Sequence, residues 1–390
     1  MASLASLGAG ETNGSHRGFA IGCVSLGLRR SLFRGIRVIA IIGAGPAGIS
    51  LAAALDAVGV PYEVFEKEQI GHTWRAAPAD LRVLSPWWTD VLHPRAMFKG
   101  NPFRKPLAGE YLDHLLATAG TLRGKVHQSC AVTALQRVDG GWMLQATHGA
   151  AGPFAAVVLA TGYFSMPRQP DPAIPTDGSV RVLHASAIRD YAELDALRDG
   201  ARPVVVVGRR VTAGQLMLEL SARDIPCAIS VRSPLEYRRH GLLADAREVC
   251  YFFWETLEAW LKPGLRRPSF PVMEGGRTRE LVQTGRVKVM PRIRKIERGE
   301  LFLEDGSRLP AAAVLHATGY QADLRLLTDG VRLDEYGVPL HSNFEISGMS
   351  GIHLLGFDNL YDHRSRYLRG IRADARRLAS KLVEDSRLSK

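Results

Sequence analysis

A glycine-rich turn between an apolar strand and an apolar helix constrains the fold of this chain more than any other feature. Residues Val38–Ile42 form an unbroken apolar run, which is typical of a parallel strand covered on both faces. The run leads into Gly43-Ala-Gly45-Pro-Ala-Gly48, which has the spacing G-x-G-x-x-G, and a helix is predicted to follow to about Val58. This pattern predicts a nucleotide-binding turn. Gly43 makes the tight bend, Gly45 lets a pyrophosphate approach the backbone, and Gly48 lets helix and strand pack closely.

The helix and strand after the turn strengthen this prediction. The helix predicted after this loop begins with free N–H groups and with the positive end of its dipole, and both attract phosphate. A second predicted strand, Tyr62–Phe65, is followed by Glu66, which lies 23 residues beyond Gly43. A carboxylate at that position accepts hydrogen bonds from the ribose of an adenosine. Strand, helix, second strand and terminal acid together make the signal specific for a dinucleotide.

Length and composition indicate a globular chain larger than one average domain. The chain has 390 residues, of which 46% are hydrophobic, and none of its apolar runs is long enough to span a membrane. The four cysteines show no C-x-x-C pair and no spacing typical of a metal site. We therefore expect a cytoplasmic protein with neither a bound metal nor a redox-active disulfide.

The net charge of +11 does not indicate a nucleic-acid partner, because it is concentrated at the two ends of the chain. Residues 1–37 contribute +4 and residues 363–390 contribute +6, so the body of the chain is close to neutral. Basic and aromatic residues do not alternate as they do in a groove that stacks bases. We expect solvated tails and a preference for phosphorylated cofactors.

Residues 1–36 are set apart from the predicted fold by their composition. They are rich in Ser, Gly and Arg, and Glu11 is their one acid. This composition is found in transit peptides, and it also fits a disordered extension or a start codon assigned too early. We exclude the segment from the fold and leave these alternatives open.

The order of elements in the first part of the chain occurs a second time. A predicted buried strand, Val204–Val207, leads into Gly208, and a helix is predicted at Gln215–Ala222. A further strand, Cys227–Val231, ends at Arg232. The second copy therefore has the same strand, glycine turn, helix and strand as the first.

Both copies continue in the same way. Each contains a hairpin signal, around Asp139-Gly-Gly141 and around Asp305-Gly306, and each then reaches the residues Ala-Thr-Gly-Tyr, at 160–163 and at 317–320. We therefore predict an α/β fold with two Rossmann-type dinucleotide-binding domains, the second inserted into the first. The predicted first domain is residues 37–165 and 316–390, and the second, which carries a helical insert, is residues 166–315.

Further motifs occur at spacings that one flavoprotein family shares. Gly71-His-Thr-Trp-Arg75 is similar to that family's GGxWR, and Ala160-Thr-Gly162 with two later prolines is similar to its ATG hinge. On these residues the chain resembles the single-component flavin-containing monooxygenases, which include the Baeyer–Villiger and indole-pyruvate monooxygenases. The resemblance extends from about Arg37 to Ser380, and it also rests on Leu81–Pro86, Leu183-His184-Ala-Ser186, Ala317-Thr-Gly-Tyr320, Gly356-Phe357, Gly370-Ile371 and Asp374-Ala375.

The resemblance implies two cofactors, FAD in the first domain and NADPH in the second. A guanidinium at the end of a strand suits a 2′-phosphate, so Arg232 indicates NADPH rather than NADH. The residues implied around FAD include Gly43, Gly45, Gly48, Glu66, Trp74 and Arg75. The full set of candidate cofactor-binding residues also contains Pro46, Ala47, Lys67, Thr161, Gly162, Gly208, Arg210, Thr212, Thr318, Gly319 and Asp358.

The resemblance further implies that the chain is an NADPH-dependent monooxygenase. In the implied reaction NADPH reduces the flavin, O₂ adds to form a C4a-peroxyflavin, and one oxygen atom passes to a small organic substrate. The expected partners are this substrate and O₂, and a homodimer is possible. Two alternatives stay open, namely an FAD-dependent oxidase or reductase with a degenerate NADPH site, and a flavin-binding protein without catalytic activity.

The second glycine turn departs from the family pattern. The expected G-x-G-x-S-G/A is replaced by Gly208-Arg-Arg210-Val-Thr212-Ala213, so Arg210 stands where a glycine normally lets pyrophosphate touch the backbone. In one interpretation the guanidinium contacts the phosphates directly. In the other, NADPH binding is weakened or lost.

Three other features carry no assigned catalytic role. Trp87 and Trp88 lie in the loop expected to cover the flavin, where they either pack or line the substrate site. The aromatic stretch 251–260 has helical spacing, which predicts a helix packed on the second domain or, alternatively, an apolar lip of the substrate site. His184 is interpreted as a hinge residue that forms hydrogen bonds. We nominate no catalytic acid or base.

Overall fold

The structure is a computed structural model, and it describes residues 38–92, 100–238, 244–267, 272–327 and 330–388. The predicted extension, residues 1–36, lies outside the described residues. The strands in chain order are β1 (Ile39–Ile42), β2 (Tyr62–Phe65), β3 (Lys125–His127), β4 (Val132–Val138), β5 (Gly141–Ala146), β6 (Gly149–Phe154), β7 (Ala156–Leu159), β8 (Arg181–His184), β9 (Val204–Val207), β10 (Cys227–Ser230), β11 (Val287–Met290), β12 (Ile293–Glu297), β13 (Glu300–Leu303), β14 (Arg308–Pro310), β15 (Ala313–His316), β16 (His341–Ser342), β17 (Glu345–Ile346) and β18 (Ile352–Leu354). The helices are α1 (Pro46–Val58), α2 (His72–Arg75), α3 (Trp87–Asp90), α4 (Ala108–Ala119), α5 (Val211–Ala222), α6 (Ala244–Leu261), α7 (Arg277–Gln283) and α8 (Leu368–Leu388).

The larger sheet has the strand order β16-β17-β18-β7-β1-β2-β3. From β18 to β3 its strands are parallel, and β1 lies between β7 and β2. All four residues of β1 are buried, which explains why its sequence is apolar without alternation. Helices α1 and α8 pack against each other beside this sheet.

The second sheet has the order β11-β10-β9-β15-β8, and all its paired strands are parallel. Its strands lie in the chain between β7 and β16, which both belong to the larger sheet. A separate hydrophobic core, built around α5, packs against it. The predicted α/β class is confirmed, whereas the division into two dinucleotide-binding domains remains a prediction.

Two small antiparallel sheets carry the predicted hairpins. Strands β4 and β5 pair across Asp139 and Gly140, and β13 and β14 pair across Asp305 and Gly306, as the turn residues indicate. Each hairpin has a third strand that the sequence did not predict, β6 in the first and β12 in the second. Within the part of the chain that the structure describes, no helix has both the length and the apolar character needed to cross a membrane.

One local prediction was wrong at its boundary. Helix α5 begins at Val211 and not at Gln215, because Gly214 N already donates to Arg210 O at 3.1 Å and closes the first turn. The aromatic stretch lies in helix α6, as its spacing predicts. The buried Glu255 of α6 forms an ion pair with Arg369 of α8, and the Tyr251 ring lies 5.8 Å from the guanidinium of Arg238. Whether α6 packs on the second domain or borders the substrate site stays a prediction.

Candidate functional site

The carboxyl ends of four neighbouring parallel strands bring the candidate flavin-binding residues together. The first glycine turn follows β1, and Glu66 follows β2. Thr161 and Gly162 come shortly after β7, and Asp358 follows β18. Since β18, β7, β1 and β2 are adjacent and parallel, these segments meet at one edge of the sheet. Ligands of open α/β sheets bind at such an edge.

The three glycines of the first turn have different surroundings. Gly43 has φ of +109°, and a Cβ added there would lie 2.5 Å from Ala160 O. A Cβ on Gly48 would lie 1.9 Å from Gly43 O, so this position needs glycine for helix and strand to pack. A Cβ on Gly45 would meet nothing within 4 Å. The space in front of Gly45, at the start of α1 with Pro46 as its first residue, is therefore open to a ligand.

Glu66 is buried and already bound to the backbone of this edge. One carboxylate oxygen accepts a hydrogen bond from Ala44 N at 2.7 Å, and the other accepts one from Glu68 N at 3.1 Å. These contacts fix the carboxylate beside the glycine turn, and each oxygen keeps a further lone pair for a hydroxyl group. The neighbouring Lys67 is exposed.

Trp74 and Arg75 lie in the short helix α2. Gly71, with φ of +70°, precedes the helix, and its N–H donates to Ala44 O at 3.1 Å, which ties α2 to the first glycine turn. The Trp74 ring packs against Tyr111 at a centroid distance of 4.5 Å. Arg75 is exposed, and its Nε donates to Ile70 O at 3.1 Å. Trp74 thus contributes to the core, while Arg75 remains accessible.

Asp358 takes part in a buried polar group that the sequence analysis did not identify. Its carboxylate accepts a hydrogen bond from the Tyr163 hydroxyl at 2.9 Å and from Arg366 Nη1 at 3.0 Å. The Arg366 guanidinium also lies over the Tyr163 ring, 4.6 Å from its centroid. Burial raises the pKa of Asp358, and Arg366 opposes that shift. The signal for Tyr163 was its place directly after Ala-Thr-Gly, whereas nothing local marks Arg366.

The two Ala-Thr-Gly segments are hydrogen-bonded to the chain segments that connect the two sheets. Thr161 Oγ1 donates to Asp323 O at 2.7 Å, and Asp323 N donates to Gly162 O at 2.9 Å. In the second segment, Thr318 Oγ1 donates to the Arg168 carbonyl, and Arg168 N donates to Gly319 O at 2.9 Å. These four candidate residues therefore lie where the chain passes from one sheet to the other.

His184 belongs to the same crossing region. Its Nε2 lies 3.1 Å from Gly319 O, and its Nδ1 lies 2.9 Å from Ser186 Oγ. The ring also meets Tyr320 edge-on at a centroid distance of 5.1 Å. His184 thus forms hydrogen bonds where the chain passes between the two sheets, and its role as a hinge residue stays a prediction.

The second glycine turn follows the same backbone course as the first. Gly208 has φ of +148°, and a Cβ added there would lie 2.5 Å from Ala317 O, the same distance as Gly43 shows to Ala160 O. Arg210 caps α5 with φ −115° and ψ −169°, close to the −82° and −172° of Gly45. The side chain of Arg210 therefore leaves the backbone where the first turn has open space.

Three arginines and one acid surround this second turn. Arg209 forms an ion pair with Glu236 at 2.6 Å, and Arg232, at the end of β10, is exposed and donates to Asp171 O at 3.1 Å. Arg210 is half-buried, and burial together with the nearby Arg209 lowers its pKa from its usual value. The positive charges suit a phosphorylated ligand.

The protein's own chain also approaches the second turn. Arg210 forms an isolated antiparallel bridge with Val272. The side chain of the buried Met273 lies against Gly214, where an added Cβ would be 3.3 Å from Met273 Cγ. Thr212, in the first turn of α5, is half-buried. Because of these contacts, a pyrophosphate at the second turn would meet side chains more than exposed backbone.

A buried acid lies next to the loop that carries Trp87 and Trp88. Asp90 is completely buried, and it accepts a hydrogen bond from the Ser85 hydroxyl at 2.9 Å. The Thr89 hydroxyl lies 2.9 Å from its other oxygen. Burial raises the pKa of Asp90 to about 7. Trp87 is buried and stacks with Tyr111 at 6.0 Å between ring centroids, so this residue packs in the core.

We call the carboxyl ends of the larger sheet's parallel strands the first edge and those of the second sheet the second edge. The residues at the first edge fit FAD on three structural grounds, namely the open space at Gly45, the N-terminus of α1 behind it, and the fixed carboxylate of Glu66. At the second edge, the side chains of Arg209, Arg210 and Arg232 are hydrogen-bond donors that suit an anionic ligand. Among the described residues, no group of His, Cys, Asp or Glu side chains is arranged to hold a metal ion.

Comparison with known proteins places this geometry in a family. The sequence profile of the pyridine nucleotide-disulphide oxidoreductases matches residues 40–241, which include both glycine turns and more than half of the chain. The chain belongs to the pyridine nucleotide-disulphide oxidoreductase family. As a member of that family it is an oxidoreductase and a flavoprotein, and flavin and nicotinamide cofactors are the rule for this group.

Individual relatives and structural neighbours of this oxidoreductase include flavin-dependent monooxygenases. An uncharacterized CzcO-like oxidoreductase of Geobacillus kaustophilus is 26% identical over 354 residues, covering 88% of this chain and 98% of its own. A probable indole-3-pyruvate monooxygenase of Arabidopsis thaliana is 24% identical, covering 81% and 83%. The flavin-containing monooxygenase from Stenotrophomonas maltophilia shares the fold, with a TM-score of 0.70, 18% identity, and coverage of 89% and 98%. The predicted resemblance to flavin-containing monooxygenases is confirmed.

Proposed function

We propose that this oxidoreductase is an FAD- and NADPH-dependent monooxygenase that transfers one oxygen atom from O₂ to a small organic substrate. The observation that carries the proposal is the pair of glycine turns at the carboxyl ends of two parallel sheets, which follow the same backbone course at the start of a helix. In this proposal FAD lies at the first edge, in residues 37–165 and 316–390, and NADPH lies at the second, in residues 166–315.

The first edge would hold the adenosine diphosphate of FAD. The N–H groups at the start of α1 face the space in front of Gly45 and would bind its pyrophosphate. Glu66 would accept hydrogen bonds from the ribose, since its carboxylate is already fixed beside the turn. Asp358 is positioned by Tyr163 and Arg366 and would face the part of the cofactor that lies across the ends of β7 and β18.

The second edge would bind NADPH through charged side chains. Arg210 would contact the pyrophosphate in place of the missing glycine backbone, and Thr212 lies two residues beyond it, in the first turn of α5. Arg232, exposed at the end of β10, would bind the 2′-phosphate and so favour NADPH over NADH.

The bound cofactors supply the redox chemistry, which is hydride transfer from the nicotinamide to the flavin and activation of O₂ by the reduced flavin. The protein orients the two rings and excludes water. Trp87 and Tyr111 are buried, and we propose that they form part of an apolar wall that keeps water away from the flavin. The two Ala-Thr-Gly segments lie where the chain passes between the sheets and would set the distance between the cofactors, through Thr161, Gly162, Thr318 and Gly319.

Rapid mixing tests the proposal. The purified, yellow protein is mixed with NADPH without oxygen, and bleaching of the flavin absorbance is followed; the reduced protein is then mixed with O₂ and a panel of sulfides, amines, ketones and 2-oxo acids. We expect fast bleaching by NADPH, slower bleaching by NADH, and oxygenated product from one substrate class. Reduction followed by stoichiometric H₂O₂ with every substrate would indicate an oxidase, and no reduction by either nucleotide would refute the nucleotide assignment.

A further inference from the structure

Helix α6 is anchored by a buried charge on its inner face. Glu255, 5% exposed, accepts hydrogen bonds from Arg369 Nε at 2.5 Å and Nη2 at 3.0 Å, and from the Tyr251 hydroxyl at 3.1 Å. His363 Nε2 lies 3.3 Å from the same carboxylate. Phe252 is buried beside it, under the Arg369 guanidinium. This ion pair fixes which face of α6 points inward.

The opposite face of α6 is apolar and exposed. Phe253 is 63% exposed, Trp254 64%, Trp260 76% and Leu261 60%. The exposed Cys250 and the half-buried Leu257 complete a stripe at spacings of 3, 4, 7, 10 and 11 residues, which lies along one side of a helix. We call these residues the outer stripe: Cys250, Phe253, Trp254, Leu257, Trp260 and Leu261. A surface helix normally has the reverse arrangement, with its apolar side inward, so the outer stripe requires a partner.

The charges of α6 disfavour a lipid surface as that partner. The helix contains four acidic residues against a single basic one, namely Asp245, Glu248, Glu255 and Glu258 against Arg247. Helices that bind anionic membranes carry Lys and Arg on their polar side. The basic residues Lys262 and Arg267, which follow α6, both form ion pairs with its Glu258 and are therefore partly neutralised. Exposed Trp and Phe in such a setting are typical of the centre of a protein–protein contact.

We propose that the outer stripe is a self-association surface, on which α6 of one copy packs against α6 of a second copy. A single apolar stripe is self-complementary, as a two-fold contact demands. A large apolar side chain buries roughly 150–250 Å², so the four exposed side chains would bury roughly 500 Å² per copy, or roughly 1,000 Å² in the pair. With the residues around them the contact reaches the lower size of stable interfaces, about 1,200 Å². This inference goes beyond the proposed activity and does not depend on it.

Sedimentation velocity of the full chain with its flavin, over a range of protein concentrations, tests the proposal. We expect a dimer for the natural protein, and an increase of at least about 30-fold in the dimer dissociation constant for Trp254→Glu and for Trp260→Glu. Leu333→Glu is the matched control, because Leu333 is 52% exposed and lies outside α6. This variant should remain as dimeric as the natural protein. Flavin absorbance and thermal melting of each variant show that it is folded.

Several results would overturn the proposal. One is a natural protein that stays monomeric at every concentration, and another is a dimer that both Trp variants retain. Co-sedimentation of a monomeric natural protein with phosphatidylserine vesicles, lost in Trp254→Glu, would identify a membrane partner instead. A dimer that forms after residues 1–35 are removed, and not before, would show that those residues cover the stripe.

Discussion

Replacing Arg210 with glycine tests how the second turn binds its nucleotide. Arg210 caps α5 in the conformation that Gly45 has in the first turn, so glycine should be accepted without a change of backbone. A hydrogen bond from a charged group contributes about 1.5–3 kcal/mol, and the half-buried position of Arg210 favours the lower part of that range. At about 1.4 kcal/mol per tenfold, we expect the dissociation constant of NADPH to rise roughly 10- to 30-fold in Arg210→Gly.

The assay is a titration of the oxidised flavoprotein with NADPH, followed by flavin fluorescence, together with the rate of flavin reduction after rapid mixing. Arg209→Gly is the matched control, since Glu236 already holds that guanidinium at 2.6 Å, and it should change the dissociation constant much less. Arg232→Ala should raise the dissociation constant of NADPH toward that of NADH and leave the dissociation constant of NADH unchanged. Tighter NADPH binding by Arg210→Gly would refute the reasoning, because it would mean that Arg210 obstructs the pyrophosphate.

Three further outcomes are expected. Glu66→Ala should lower the FAD content of the purified protein, measured by absorbance after heat release, and release of FMN from the natural protein would contradict the assignment. Removal of residues 1–35 should leave flavin content and melting temperature nearly unchanged, whereas a large loss of soluble protein would show that this segment packs. Asp90→Asn should stabilise the protein at pH 8. Because burial raises the pKa of Asp90 to about 7, an ionised Asp90 disfavours the fold, and the stability gained by the substitution should increase as pH rises from about 4 to 7 and then level off. Asp113→Asn, at an exposed position, is the surface control.

The glycine turns and their flanking elements could be predicted from the sequence because their determinants are local. The first and second strands were predicted within about one residue of β1 and β2. The first helix was predicted to end at Val58, where α1 ends, although α1 already begins at Pro46, inside the predicted loop. The hairpins also formed at the predicted turn residues. In each case a few consecutive residues determine the conformation, through apolar continuity or through the positive φ that glycine accepts.

The contacts between distant segments could not be predicted in this way. Glu255 and Arg369 are 114 residues apart, and nothing in either neighbourhood indicates that they meet. The same holds for Tyr163 and Asp358, which are 195 residues apart. Asp90 follows two tryptophans and a threonine, a context that shows neither its complete burial nor its raised pKa. These features depend on how α3, α6 and α8 pack, and packing is a property of the whole chain.

The two glycine turns show which positions the backbone conformation restricts and which positions affect ligand binding. The first glycine is required by the backbone in both turns, since Gly43 and Gly208 have positive φ and an added Cβ would approach a carbonyl oxygen to 2.5 Å. The second position carries no such restriction, because a Cβ on Gly45 would meet nothing within 4 Å. An arginine can therefore replace glycine at position 210 while the turn keeps its course. The first glycine of each turn is therefore the residue from which the fold could be inferred. At Gly45 and Arg210, a substitution is expected to change how the nucleotide contacts the turn without changing the backbone.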